Sequence, residues 1–228
     1  MGGRSGDDGV TFSSPNAIAI DSLDNVYVTE FSGDRVQKFT SDGVLLTEWG
    51  GSGTDSGQFR RPTGIAIDRL DQVYVAENGN SRVQKSNSDG EWLATFGANG
   101  KGPGEFLSAM VVIVDAQDRV YVSDWGNHRV QVFSTLGEFV QKFDRPGTGP
   151  GQFQVLTSIA FDSQGNFYVS EVANHRIQRF SPSGEFLGEV APGTLSNPHG
   201  LAFDSTGAFY VADTGNRVVR KYRVEDAE

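Results

Sequence analysis

At 228 residues the chain is long enough for one domain with a substantial core, in which roughly 70% of the unfolded chain's surface is buried. It has no cysteine and no apolar run of ~18 residues, which excludes disulfides, thiolate ligands, a thiol nucleophile and a helical membrane span. Its 29 acidic residues against 19 basic ones, a formal charge of −10, argue against a nucleic-acid surface, which draws affinity from Lys and Arg on phosphates.

The first residues, MGGRSGDDG, hold no apolar stretch of the kind a secretory leader needs. The segment 17–20 is a short apolar run bounded by turn residues, so it is expected to be a strand. Asp21 ends it. Residues 25–29, Asn-Val-Tyr-Val-Thr, are apolar on both faces of an extended chain, which predicts a strand covered on both sides. Strands 35–39 and 44–49 meet at Ser41-Asp42-Gly43, a hairpin signal with glycine available for positive φ.

This unit then recurs. Asp21, Asp68, Asp115, Asp162 and Asp204 are spaced 47, 47, 47 and 42 residues apart, about the period of a propeller blade. A tyrosine follows each aspartate by six residues, at Tyr27, Tyr74, Tyr121, Tyr168 and Tyr210, and an acid stands three further on. In four of the five first strands, small residues alternate with branched or aromatic ones, as suits an innermost strand crowded near an axis. The third, Met110-Val-Val-Ile-Val114, breaks that alternation and requires its neighbours to make room. Ser86 replaces an aromatic found in the other repeats, and Trp92 across the next hairpin is expected to fill the gap.

Four-stranded units repeated around an axis predict an all-β chain folded as a β-propeller, one domain over 1–228, with five blades. The last repeat stops one strand short, and residues 9–13 are the N-terminal candidate for the missing strand. A five-bladed ring with one thin blade is the favoured arrangement; part of a larger ring, or subunits that complete each other, are the alternatives.

The segments 167–171, 173–180 and 184–187, with 120–133 and 137–143 and the Gly-Glu-Phe and Gly-Gln-Phe linkers at 104–106 and 151–153, resemble the NHL repeat. The resemblance extends over residues 15–222 and implies a propeller, usually of six blades, so five repeats are a departure. NHL-like propellers occur inside cells beside other domains and outside bacterial cells, so the resemblance implies no single compartment.

A feature repeated five times is expected to hold each blade together, since a catalytic site is needed once. On that rule the pairs Glu30/Arg35, Glu77/Arg82, Asp124/Arg129, Glu171/Arg176 and Asp213/Arg217 are structural, although Arg217 stands one residue early. His128 and His175 belong to the repeated Asn-His-Arg. His199 does not: it opens the last inner strand, where the other repeats have Asn16, Thr63, Met110 and Thr157. The turn after the acid also varies, as Phe31, Asn78, Trp125, Val172 and Thr214. These ten positions are the candidate binding face, with Trp125 and Phe31 as aromatic anchors.

The expected function is a non-catalytic scaffold that presents this face and its channel mouth to a protein, peptide or small ligand, with no cofactor, metal or membrane. A propeller-type lyase or hydrolase is one alternative. Peptidyl-amidating lyases resemble this architecture, but a catalytic zinc wants about three protein ligands and only His199 occupies such a position. A fragmentary or engineered propeller without a ligand, prone to self-association if its ring is incomplete, is the other.

Overall fold

The structure, a computed structural model, describes residues 11–223. Blade 1 comprises β1 (Pro15–Ile20), β2 (Val26–Glu30), β3 (Arg35–Phe39) and β4 (Leu45–Gly50); blade 2 comprises β5 (Pro62–Ile67), β6 (Val73–Glu77), β7 (Arg82–Ser86) and β8 (Trp92–Phe96). Blade 3 follows with β9 (Ala109–Val114), β10 (Val120–Asp124), β11 (Arg129–Phe133) and β12 (Phe139–Phe143). Blade 4 has β13 (Leu156–Phe161), β14 (Phe167–Glu171), β15 (Arg176–Phe180) and β16 (Phe186–Val190). Among the described residues, blade 5 has three strands, β17 (Pro198–Phe203), β18 (Ala208–Asp213) and β19 (Val218–Arg223). The molecule is an all-β propeller of five antiparallel blades, four of them four-stranded.

The six-residue interval from aspartate to tyrosine has a direct cause. Asp21 turns the chain between β1 and β2 by accepting the N–H groups of Leu23 and Asn25 on one carboxylate oxygen (3.0 and 2.8 Å), while the other accepts the Tyr27 hydroxyl at 2.9 Å. Tyr74, Tyr168 and Tyr210 bind Asp68, Asp162 and Asp204 in the same way. In blade 3 Arg119 Nε takes that oxygen of Asp115 instead, at 2.7 Å.

Blades pack face to face through apolar clusters at each successive junction. At the first, Tyr27 and Val36 of blade 1 meet Phe59, Ile65 and Val75 of blade 2, with Ala17 and Ala19 beside them. Large residues of one inner strand thus pack against small residues of the one before, which explains the alternation. The irregular third inner strand is accommodated by Gly64, where an added Cβ would lie 2.6 Å from the backbone of Val112. Similar clusters join blades 2 and 3, 3 and 4, and 4 and 5. Among the described residues no such cluster joins blade 5 to blade 1, where Ile18, Ile20 and Val219 are 65%, 59% and 73% exposed.

Two expectations need correction. Trp92 is 46% exposed, and its Nε1 donates to Thr95 at 2.9 Å. Trp49 of the neighbouring blade, larger than its counterparts Phe96 and Phe143, reaches the same place: with Ser86, Phe59, Val75 and Trp92 it lines a small residual void. Trp49 also lies over Gly90, where a Cβ would approach within 2.4 Å, so this hairpin glycine (φ 88°) serves close packing as well as the turn. Second, residues 11–13 do not complete blade 5. The Thr11 carbonyl accepts from Arg35 and Gln37, and the Ser13 N–H donates to Glu30, so they form the linker against blade 1; residues 9 and 10 lie outside the described residues.

Candidate functional site

The acid that ends each second strand is fully buried and saturated with donors. Asp124 accepts the N–H groups of Leu107 and Ser108 (3.0 and 3.2 Å), Asn127 Nδ2 (2.7 Å) and Arg129 Nε (3.0 Å). Glu171 likewise receives Gln154 N–H, Asn174, Arg176 and Gln178 at 2.7–2.8 Å. The arginine then uses its remaining N–H groups on the incoming linker: Arg129 donates to the carbonyls of Lys101, Gly102 and Glu105 at 2.7–2.9 Å. Arg82 and Arg176 repeat the pattern, and Arg35 and Arg82 hold Glu30 and Glu77 at 2.6 and 2.5 Å. A carboxylate with this many donors has little lone-pair capacity left for a cation.

The fifth pair differs from the expectation. Asp213 is bound at 2.6 Å by Arg220, not by Arg217. Arg220 occupies the position of Gln37, Gln84, Gln131 and Gln178, two residues beyond the usual arginine and therefore on the same face of the strand. Arg217 stands four residues after its acid, where the other blades have Asp34, Ser81, His128 and His175, and shares their left-handed backbone (φ 50–59°).

That position is a clasp between blades. Asp34 Oδ1 accepts the Arg61 N–H at 2.7 Å, His128 Nδ1 accepts that of Val155 at 3.3 Å, and His175 Nδ1 accepts that of Asn197 at 3.1 Å. Each imidazole therefore presents an unprotonated Nδ1 to the next blade.

The ten candidate face positions fare unequally. Thr63 is buried, its hydroxyl bonded to the carbonyls of Ala76 and Ala109, and so leaves the face. The Thr157 hydroxyl lies between Ser170 and the Pro198 carbonyl, and the Asn78 amide reaches Ser108 and the Met110 sulfur. These three tie inner strands together. The turns at Phe31, Trp125, Val172 and Thr214 lie along one edge, since Phe31, Trp125 and Val172 donate their N–H groups to Ser14, Ser108 and Val155 at the linker ends, and Gly215 to Ser196. Trp125 is 42% exposed, and Asn16, His199 and Thr214 are exposed.

Two residues on this edge escape the repeat comparison because they belong to linker ends. Arg61 stacks over the Phe31 ring at 5.8 Å, and Leu107 lies against Gly126 beside Trp125. A second feature follows from the 42-residue spacing: the shortened linker into blade 5 borders a cleft of about 550 Å³ whose lining includes Thr148, Asn174, His175, Arg176, Glu189 and Ser196.

Perturbed ionisations gather mainly at the opposite edge, around the aspartate turns. Burial acts to raise the Asp21 pKa, but hydrogen bonds from Asn25, Tyr27 and Leu23 outweigh it and bring the value down to about 2. Asp204 is held well below the usual range, chiefly by the Thr206 hydroxyl and the Ala208 N–H. Burial raises the Tyr27 and Tyr74 phenols and pushes the Lys85 ammonium down.

Comparison with known proteins agrees with this architecture. A family described as a 6-bladed beta-propeller matches residues 108–197, and the NHL repeat matches residues 59–85 and 195–222. The chain is an NHL-repeat β-propeller. Among solved structures, virginiamycin B lyase from Staphylococcus aureus superimposes with a TM-score of 0.70 at 15% identity, over 93% of this chain and 70% of the lyase. A chain of a nidogen/laminin complex gives 0.71 at 15% identity, over 92% of this chain and 76% of the other. At such identities the likeness of this NHL propeller to either shows the fold alone. No curated protein sequence matches it.

Proposed function

We propose that this NHL propeller is a non-catalytic binding module, and that its recognition surface is the edge carrying the Phe31, Trp125, Val172 and Thr214 turns, with Asn16 and His199 at the starts of inner strands. One observation carries this reading. The residues that recur in every blade are consumed in fastening, whereas Asn16, Trp125, His199 and Thr214, at positions that change from blade to blade, lie exposed along this edge. Trp125 with Leu107, and Phe31 under Arg61, supply aromatic and cationic anchors of the kind that dominate protein and peptide recognition.

The test is to identify what the immobilised chain retains and to titrate that molecule against the wild type, Trp125→Ala and His199→Ala. Unchanged affinity in both variants removes this edge from consideration. A second reading, a lyase or hydrolase, is favoured by the cleft that brings His175, Arg176 and Glu189 together. Its metal-dependent form predicts a stoichiometric divalent ion in elemental analysis of the purified protein.

A further inference from the structure

Blade 5 ends on β19, and among the described residues no strand pairs with its outer edge. A free edge offers a row of backbone donors and acceptors to another extended chain. The outer strands of blades 1 and 4 show what this fold places there. Glu48 of β4 holds Arg35 at 2.8 Å, and Glu189 of β16 holds Arg176 at 3.0 Å, each carboxylate coming from the outer strand to an arginine of the third. In blade 4, Val190, Glu189 and Phe186 stand opposite Ile177, Gln178 and Phe180.

The corresponding residues of β19 are Val219, Arg220 and Tyr222. Ile177 is buried, together with Val190 of its outer strand, against blade 5, whereas Val219, with neither an outer strand nor a neighbouring blade over it among the described residues, is 73% exposed. Arg220, Lys221 and Arg223 make β19 cationic in a chain whose net charge is −10. Charged side chains along an edge deter neutral and like-charged strands from pairing. A cationic edge with an exposed valine therefore admits selectively.

We propose that the outer edge of β19 binds an acidic extended peptide by antiparallel strand addition, with a carboxylate opposite Arg220, an apolar residue opposite Val219 and an aromatic beside Tyr222. This site is separate from the Trp125 edge, and its success or failure leaves the reading of that edge untouched.

The probe is a fluorescein-labelled peptide with the sequence of residues 184–190, GEFLGEV, titrated against the full chain by anisotropy beside a control in which both glutamates are lysine. Saturable binding is expected, at least tenfold weaker for the lysine peptide and for the chain carrying Lys221→Glu and Arg223→Glu, a pair that leaves the Asp213–Arg220 contact in place. Amide exchange followed by NMR should slow at least tenfold at alternate residues of 218–223 when the peptide binds. The proposal is overturned by absent binding, by equal binding of both peptides, by slowed exchange confined to other strands, or by edge amides of β19 that are already protected in the free chain.

Discussion

Replacing Arg129 by methionine should destabilise the propeller by about 3–5 kcal/mol, the usual cost of removing one partner of a buried ion pair. Both side chains are at most 2% exposed. Asp124 would keep three neutral donors, from Leu107, Ser108 and Asn127, but lose its counter-charge. The Glu105 carbonyl would keep Gln131 and the Gly102 carbonyl would keep the Glu105 N–H, while that of Lys101 would have to turn to water. Arg129→Lys keeps the charge without the planar fork, so it should fall between the two, at roughly 1.5–3 kcal/mol. Arg35 makes the same contact with 29% of its side chain exposed, and Arg35→Met should cost only about 1–2 kcal/mol because solvent screens the pair. Urea unfolding followed by tryptophan fluorescence measures all three. A loss below about 1 kcal/mol for Arg129→Met, or an equal loss for Arg35→Met, would refute the claim that burial of this pair fastens the linker to the blade.

Trp49→Ala should cost roughly 2–4 kcal/mol and Trp92→Ala less than about 1, the reverse of what their places in the sequence suggest; urea unfolding of the two variants decides it. Asp21 links stability to acid: its folded pKa of about 2 lies below the unfolded value near 3.9, so its contribution is complete above about pH 4 and disappears as pH falls through 2. Asp21→Asn should therefore flatten the loss of melting temperature between pH 4 and 2, and an unchanged slope would count against the turn network. If the uncovered faces of blades 1 and 5 meet between molecules, sedimentation should show mass rising with concentration, and Ile18→Asp should restore the monomer.

Much of the fold is legible in the sequence because each blade reuses the same contacts. The Asp-to-Tyr interval reports a side-chain hydrogen bond, and the hairpin glycines report positive φ, so periodicity translates into blades with little ambiguity. What the comparison of repeats misses lies between blades. Trp49 meeting Ser86 at one void, the histidines accepting a neighbour's N–H and the burial of Thr63 are relations between positions 22 to 46 residues apart, invisible to position within one repeat. Arg217 misleads for a related reason. Its distance from Asp213 is nearly right, but a strand's two-residue period gives Arg220 the correct face and gives Arg217 the clasp position.

Recurrent residues fasten the blades, and Trp125, which does not recur, is the ligand contact proposed above. The most direct measurement pairs the stability and the binding of Trp125→Ala against a partner retained by the wild-type chain. The variant is expected to keep an unfolding free energy within about 1 kcal/mol of wild type while binding at least tenfold more weakly; unchanged affinity in a folded variant contradicts a binding role for Trp125.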